Sequence, residues 1–296
     1  MKNIKLLVSS FKAYDDIPEK MIVPVSAGAA LYDKTDVLCE LRDNTGINIS
    51  EKNPQYCELT VQYWAWKNLG CDVCGIMHRR RYFDFSHGIA CDYQSHQPRK
   101  LPVPYRISSV PDRSALDRFQ LHYDVVSALM EQYDWIAASR ENIFLSVRDY
   151  YDKHDRRDFD DMELVLKVIS EKYPAYENAA VHYLNSTFSY FCNMFLSDKK
   201  LFDDYSRWLF DVLGEYEKQK PEQLRYPREQ GKIAERLFGI YMTYIKEHTG
   251  IRWAEIPRVH FAKVDGATPK NMSFNPFLYH LFPPGSFRRG TLRKFI

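Results

Sequence analysis

The stretch Ile4-Lys5-Leu6-Leu7-Val8-Ser9-Ser10 decides the fold class of this sequence. It is a short apolar run that ends in small polar residues, which is typical of a buried strand in an α/β sheet. A second run of the same kind, Cys71-Asp72-Val73-Cys74-Gly75-Ile76-Met77, follows a helical segment. Strand, helix and strand in this order predict a βαβ-like unit, whose ligands bind at the carboxyl edge of the sheet.

The helix before the second strand has a clear signature. Asn53 and Pro54 are typical of a helix cap and a first helical position, and Gly70 predicts the end of the helix. The remaining pattern predicts helices over 116–133, from Asp160 or Asp161 to Tyr173, over 200–216 and over 230–248, and strands over 134–138, 193–196 and 256–264. We therefore expect an α/β protein with a mixed sheet flanked by helices and a helical C-terminal half. One catalytic domain over 1–264 and a tail over 265–296 are predicted.

The composition excludes several classes of protein. A content of 45% hydrophobic and 27% charged residues is that of a globular chain, not of a disordered or collagen-like one. The formal net charge of +2 is too small for a protein that coats nucleic acid, so no nucleic-acid partner is expected. No stretch resembles a signal peptide or a membrane span, and the six cysteines suit a reducing compartment. We expect a cytoplasmic protein with free thiols.

The string His78-Arg79-Arg80-Arg81-Tyr82 directly follows the second predicted strand. Its cations are therefore expected at the carboxyl edge of the sheet, where anionic ligands bind. Arginine forms bidentate hydrogen bonds with phosphate and keeps its charge, so the string could stabilise a departing nucleoside diphosphate without a metal. The alternative is a solvated basic loop, or a partner for Asp84.

Two further segments could carry chemistry. The polar loop over 42–53 could hold ribose or sugar hydroxyls through its amides and carboxylates, although such residues also form ordinary turns and caps. Glu235, in Gly231-Lys232-Ile233-Ala234-Glu235-Arg236-Leu237, could take the proton from an acceptor hydroxyl. The alternative for Glu235 is a surface ion pair on a helix, which contributes only a few tenths of a kcal/mol.

Motifs for metal binding are weak. Asp158-Phe159-Asp160 is the one strict Asp-any-Asp string, and its place just before a predicted helix favours capping over metal binding. Cys71 and Cys74 have a zinc-like spacing, but no second pair follows them. No metal ligand is assigned and no cofactor is firmly predicted, with Mn²⁺ or Mg²⁺ remaining as an option.

The C-terminal segment over 282–296 interleaves cations with large apolar residues. Each cation near an anionic bilayer contributes on the order of 1 kcal/mol, and the apolar residues could serve as anchors. The tail is therefore a candidate for peripheral contact with the inner face of the cell membrane. The alternative is a tail that is merely solvated.

Several separated motifs occur in a characteristic order over residues 4–262. They are Asn48-Ile49-Ser50, Asn53, Tyr56-Cys57-Glu58-Leu59-Thr60, Tyr63-Trp64-Ala65-Trp66-Lys67-Asn68, Gly75, the string from His78 to Phe83, Tyr173-Pro174-Ala175-Tyr176, Asn193-Met194-Phe195, Trp208-Leu209-Phe210, Arg228, Gly231 and Glu235-Arg236-Leu237. In this combination the sequence resembles the bacterial capsular and exopolysaccharide biosynthesis glycosyltransferases, a family long catalogued as a domain of unknown function.

The resemblance implies a GT-A-like, Rossmann-type fold. It also implies transfer of a hexosyl residue, with galactofuranosyl transfer among the family's activities, from a nucleotide sugar to a surface-polysaccharide acceptor. A UDP-sugar donor and a lipid-linked acceptor are expected. The family usually has His-Tyr-Arg-Arg-Tyr where this chain has His78-Arg79-Arg80-Arg81-Tyr82, so no stacking role is carried over to Arg79.

Motifs and resemblance together give a set of candidate site residues. The catalytic candidates are Glu235, His78 and Arg81; the nucleotide-sugar-binding candidates are Ser9, Ser10, Lys12, Asp43, Asn48, Ser50, Asn53, Glu58, Lys67, Arg80 and Tyr82; the acceptor-binding candidates are Asn193, Arg228 and Arg236. We expect His78, Arg80 and Arg81 to neutralise the leaving diphosphate, with Glu235 as the base if the reaction inverts configuration. The alternative function is a non-catalytic carbohydrate-binding or scaffold subunit of a polysaccharide assembly complex.

Overall fold

A computed structural model of the chain describes residues 1–10, 17–32, 39–95, 106–107, 110–154, 156–261, 288 and 291. Lys12 and, apart from two single positions, the predicted tail over 265–296 lie outside these residues. The helices are α1 Asn53–Tyr56, α2 Leu59–Asn68, α3 Arg113–Arg118, α4 Tyr123–Gln132, α5 Val147–His154, α6 Arg156–Lys172, α7 Glu177–Asn185, α8 Lys199–Gln219 and α9 Glu229–His248. Within the described ranges, none of these helices has the length and apolar character needed to cross a bilayer.

The strands form one large mixed sheet and two small ones. They are β1 Ile4–Ser10, β2 Ile22–Ser26, β3 Leu41–Arg42, β4 Val73–Met77, β5 Arg81–Phe83, β6 Cys91–Asp92, β7 Arg106–Ile107, β8 Trp135–Ala138, β9 Glu141–Asn142, β10 Phe188–Ser189, β11 Phe195–Asp198, β12 Trp253–Ile256 and β13 Arg258–Phe261. The described part of the large sheet has the order β3-β2-β1-β4-β11-β8-β12-β6. The small sheets are β5-β13-β7 and β10-β9.

Strand direction determines where ligands can bind. β1 is parallel to β2 and β4, and β8 is parallel to β12. β11 is antiparallel to both β4 and β8, so β1, β2, β4, β8 and β12 all end at the same edge. The predicted fold class, a mixed α/β sheet flanked by helices with a helical C-terminal half, is confirmed.

The sheet is buried on both faces. Successive side chains of a strand point to opposite faces, so Leu7 packs in one apolar cluster while Leu6 and Val8 pack in the other. Trp135 and Phe195, from neighbouring strands, stack with ring centroids 4.7 Å apart on the Leu7 face. This two-sided burial explains why β1 and β4 are continuous apolar runs in the sequence.

The helix predicted from Asn53 is broken at Cys57, which has a φ of 52°. The prediction that Asn53 is a helix cap is wrong, because Asn53 is the first residue of α1 and its side chain bridges the break. Its Nδ2 donates to the backbone oxygen of Cys57 at 2.8 Å and to Oγ1 of Thr60 at 3.1 Å. The break turns the chain so that Glu58 directly precedes a second helix, α2.

Other helix boundaries also differ from the prediction. The segment over 116–133 holds two helices, α3 and α4, separated by a turn in which Gln120 has a φ of 50°. Helix α6 begins at Arg156, so Asp158-Phe159-Asp160 lies inside the helix and the predicted capping role is wrong. Asp161 is instead buried and accepts a hydrogen bond from Nζ of Lys220 at 2.6 Å.

Candidate active site

The arginine turn His78-Arg79-Arg80 leads from β4 to β5 at the carboxyl edge of the sheet. Arg79 is buried, and its Nη1 donates a hydrogen bond to Oγ of Ser10, the last residue of β1, at 2.7 Å. The first of the three arginines therefore contacts the end of β1. Arg80 and Arg81, which follow it, are half-buried. The candidate list from the sequence omits Arg79, which the structure places in contact with the end of β1.

The ring of His78 lies between two donors. Its Nδ1 is 3.0 Å from the backbone nitrogen of Arg80, and its Nε2 is 3.1 Å from Nη1 of Arg81. Burial, and then the charges of Arg81 and Arg80, hold the pKa of His78 well below its usual range. The surroundings favour the neutral ring, and the expectation that His78 neutralises a diphosphate stays a prediction. At this turn the positive charge comes from the arginines.

Two carboxylates are held by consecutive residues of one segment. Nδ2 of Asn193 donates to Oε1 of Glu58 at 3.1 Å, and the backbone N–H of Cys192 donates to Oε1 of Glu235 at 2.8 Å. Burial, and then the charge of Glu235, raise the pKa of Glu58. We call Glu58 and Glu235 the carboxylate pair. The two residues are far apart in the sequence and interact electrostatically in the fold.

Arg228 connects the carboxylate pair with the arginine turn. It precedes α9 with a φ of 66°, and its backbone N–H donates to the backbone oxygen of Pro54 at 2.8 Å. Its charge acts on both Glu58 and His78. Gly231 permits this arrangement, because a Cβ there would lie 3.3 Å from Cβ and Sγ of Cys57.

The backbone of the site is strained. Four non-glycine residues with positive φ meet here, namely Cys57 at 52°, Cys192 at 75°, Asn193 at 48° and Arg228 at 66°. Such conformations cost about 1–3 kcal/mol each and persist only where the surroundings enforce them, most often at functional sites. Of these four residues, only Asn193 is of a type that adopts positive φ comparatively often. The sequence therefore gives little sign of the strain.

Side chains of the polar loop over 42–53 form hydrogen bonds within the loop and with the turn after β2. Asp43 is fully buried and accepts from the backbone N–H groups of Gly28 at 2.8 Å and Ala29 at 2.9 Å, and from Oγ of Ser50 at 2.5 Å. Asn48 donates to its own loop at Gly46 and accepts from the backbone N–H of Ser50. These residues shape the turn after β2, as the alternative interpretation from the sequence expects.

Two further nucleotide-sugar candidates pack against aromatic rings. Lys67 is in the last turn of α2, which leads to the start of β4, whereas the arginine turn follows the end of β4. Its Nζ lies 3.3 Å from the ring centroid of Trp66. Tyr82 is fully buried and packs edge to face against Phe261. Tyr82 directly follows Arg81 in β5, whereas the helix of Lys67 leads to the opposite end of β4.

The acceptor candidate Arg236 is almost fully buried. Its guanidinium carbon lies 3.5 Å from the ring centroid of Tyr151, which is a cation–π contact inside the helical half. Ser9 is also buried, in β1 next to Ser10. In the part of the chain that the structure describes, no three His, Cys, Asp or Glu side chains are grouped so that they could hold a metal ion.

Comparison with known proteins assigns the chain to a family. Residues 5–247 match DUF4422, described as a domain of unknown function. This chain belongs to the DUF4422 family. Among the curated proteins, none matches it.

The DUF4422 chain is also similar to a solved structure, the apo form of WbbM, a bifunctional glycosyltransferase. The two share 27% sequence identity with a TM-score of 0.76, and the likeness covers 88% of this chain and 46% of that one. The DUF4422 chain therefore spans about half the length of WbbM. The likeness agrees with the GT-A-like, Rossmann-type class expected from the sequence.

Proposed function

We propose that this protein is a glycosyltransferase that moves a sugar from a nucleotide-sugar donor to a sugar acceptor. One observation carries the proposal: at the carboxyl edge of the sheet, the charge of Arg228 acts both on Glu58 of the carboxylate pair and on His78 of the arginine turn, which carries Arg80 and is followed by Arg81. A cationic site suits a departing diphosphate, and a carboxylate suits removal of a proton from an attacking hydroxyl. The likeness to WbbM supports the same reaction class.

The arginines would act on the donor. As the bond between the anomeric carbon and the diphosphate oxygen breaks, the electron pair stays on the diphosphate, whose negative charge grows. Half-buried guanidinium groups held in place before the reaction stabilise that charge without reorganising. Arg79 contributes by fixing Arg80 and Arg81 on the sheet edge through its contact with Ser10.

The carboxylate pair would act on the acceptor. As the acceptor hydroxyl attacks the anomeric carbon, its proton passes to a carboxylate, for which we propose Glu235. Oε1 of Glu235 is held by Cys192, whereas its Oε2 has no hydrogen-bond partner among the described residues. Glu58, held by Asn193, would orient the acceptor and keep a proton more readily than an ordinary glutamate.

The finer assignments come from the sequence resemblance. We propose a UDP-sugar as donor, with galactofuranose as the candidate sugar, and a lipid-linked surface-polysaccharide chain as acceptor. In this proposal the protein works in the cytoplasm at the inner face of the cell membrane, which its tail would contact.

The test is release of UDP from a panel of UDP-sugars by the full-length chain, with and without acceptor saccharides. Glu235→Gln is the test variant. Its amide oxygen can still accept the hydrogen bond from Cys192, but the side chain can no longer take up a proton from the acceptor hydroxyl. We expect slow release by the wild type and a loss of at least ~100-fold in the variant. Donor binding without any UDP release, in every combination tried, would favour the scaffold alternative.

A further inference from the structure

A cavity lies away from the carboxylate pair. Its volume is about 210 Å³, and it is lined by residues of α7, the C-terminal half of α9, β10 and β12. That volume is far above the ~10–15 Å³ that a single water needs. Lys246 lines it, eleven residues after Glu235 on α9, which is about 16 Å along the helix axis at 1.5 Å per residue.

Deep in this cavity two cations meet one carboxylate, whereas a second carboxylate of the lining, Glu247, is more exposed and pairs with His182. Nζ of Lys246 donates to Oε1 of Glu255 at 2.5 Å and to the hydroxyl of Tyr190 at 2.6 Å. Nε of Arg140 lies 2.9 Å from the same Glu255 oxygen. Two cations thus share one carboxylate, and their side chains are only 24% and 11% exposed for Arg140 and Lys246.

The pKa values keep Lys246 and Glu255 charged at neutral pH. Burial opposes the charge of Glu255, but Lys246 and Arg140 hold its pKa at about 2. Burial lowers the pKa of Lys246 to about 8, so the ammonium is still mostly charged at pH 7. Burial also raises the pKa of Tyr190, so its hydroxyl is neutral. Around Glu255 the two cations outnumber the carboxylate, and an anion bound at Arg140 would balance them there.

The other walls suit a sugar ring. Phe188, Tyr190 and Trp253 line the cavity with aromatic rings, which pack against the CH groups of sugars while polar groups bind the hydroxyls. The hydroxyls of Ser186 and Thr243 and the rim pair of His182 with Glu247 supply such polar groups. Nζ of Lys246 lies 3.9 Å from the centroid of a Trp253 ring, so charge and ring are adjacent.

We propose that this cavity binds an acidic sugar residue of a glycan, with the sugar carboxylate at Arg140 and the sugar ring against the aromatic wall. The choice of a saccharide rests on the proposed function, because a glycosyltransferase meets a saccharide chain. The choice of an acidic one rests on the two cations that share Glu255. The cavity would hold part of the acceptor at a distance from the reacting hydroxyl.

The test is calorimetric titration of the full-length chain with D-glucuronate, D-glucose and inorganic phosphate. Arg140→Met removes the extra cation and leaves Lys246 and Glu255 as a balanced pair. Arg148→Met is the matched control, because Arg148 pairs with Glu163 on the surface. We expect glucuronate to bind at least about 10-fold more tightly than glucose, which lacks the carboxylate, and than phosphate, which lacks the ring, and we expect Arg140→Met to lose the preference over glucose.

A second variant keeps the test decisive if Arg140→Met does not fold. Thr243→Trp fills the cavity from the helix side, and we expect it to abolish glucuronate binding. Equal binding of glucose and glucuronate would overturn the acidic ligand, and equal binding of phosphate would mean a simple anion site. UDP release without glucuronate binding would reject this inference alone, whereas glucuronate binding without UDP release from any donor would reject the proposed function alone.

Discussion

Arg79 donates a hydrogen bond from Nη1 to Oγ of Ser10 over 2.7 Å, and this contact ties the arginine turn to the end of β1. Both residues are buried, so a hydrogen bond to the charged guanidinium contributes about 1.5–3 kcal/mol. The contact joins the first strand of the sheet to the cations that would meet the donor.

We predict that Arg79→Met raises the KM for the donor and lowers the melting temperature, because the turn loses its anchor. Ser10→Ala should have a smaller effect of the same kind. Measured as a double-mutant cycle on UDP release, the two changes should be less than additive. Strict additivity would show that the contact does not position the turn.

Arg81→Ala is predicted to lower kcat at least ~100-fold while the fold stays intact, because it removes one preorganised donor to developing charge. Arg207→Ala is the control, since Arg207 lies on the surface of α8 beside Asp204. Both variants are compared by UDP release and by thermal unfolding. Full activity of Arg81→Ala with an unchanged melting temperature would remove the turn from the mechanism.

The pKa of Glu58 is raised above its ordinary value of 4.5 by burial and by Glu235. The folded protein therefore binds this proton more tightly than the unfolded chain does. This contribution to the free energy of unfolding is fully present below pH 4.5 and is lost as the pH rises through the raised pKa.

We predict that Glu58→Gln raises the melting temperature at pH 8 more than at pH 4, because the amide cannot ionise and still accepts from Asn193. The same variant should lower UDP release to an acceptor. Thermal unfolding of wild type and variant from pH 4 to pH 8 checks this. A difference that shrinks as the pH rises would show that the sign is wrong.

A buried ion network supports the start of α9. Nζ of Lys220 contacts Oδ1 of Asp161 at 2.6 Å and the carboxylate of Glu229, the first residue of α9. Removal of Lys220 leaves two buried carboxylates without their cation. We predict that Lys220→Met lowers the free energy of unfolding by about 3–5 kcal/mol in urea. Lys200→Met, at an exposed pair with Asp204, should cost less than about 1 kcal/mol.

The tail gives a prediction that depends on the sequence alone. Deletion of 287–296 should weaken binding to phosphatidylglycerol vesicles and leave UDP release in solution unchanged, because that segment combines cations with apolar anchors. Binding of the full-length chain should also fall as salt rises. Co-sedimentation of both forms at low and high salt measures this. Equal binding by the two forms would assign any membrane contact to the catalytic domain.

The sequence predicts the strands of this fold better than its turns. β1 and β4 are recognisable because both of their faces are buried, which leaves an apolar run in the sequence. The break at Cys57 cannot be recognised from the sequence. Nothing in Asn53-Pro54-Gln55-Tyr56-Cys57 indicates a positive φ, and the helical pattern continues beyond Cys57. A turn forced by tertiary contacts leaves no local signal.

Part of the candidate site could be predicted from the sequence, because it adjoins a recognisable strand. The arginine turn follows an identifiable strand, so its position at the sheet edge could be predicted. The contact of Asn193 with Glu58 joins residues that are far apart in the sequence, and no periodicity reports such a pairing. Lys67 illustrates the converse, because its motif is conspicuous but its helix carries it towards the start of β4.

The backbone of Cys57, with φ 52° and ψ −129°, lies outside the regions that side-chain-bearing residues ordinarily adopt. Glycine would adopt it with little strain, so a library selected for heat resistance should enrich Cys57→Gly. The same substitution would make the turn between α1 and α2 more flexible, and this turn positions Glu58 beside Asn193. Selection for thermal stability would then favour glycine at position 57, whereas selection for turnover would favour cysteine.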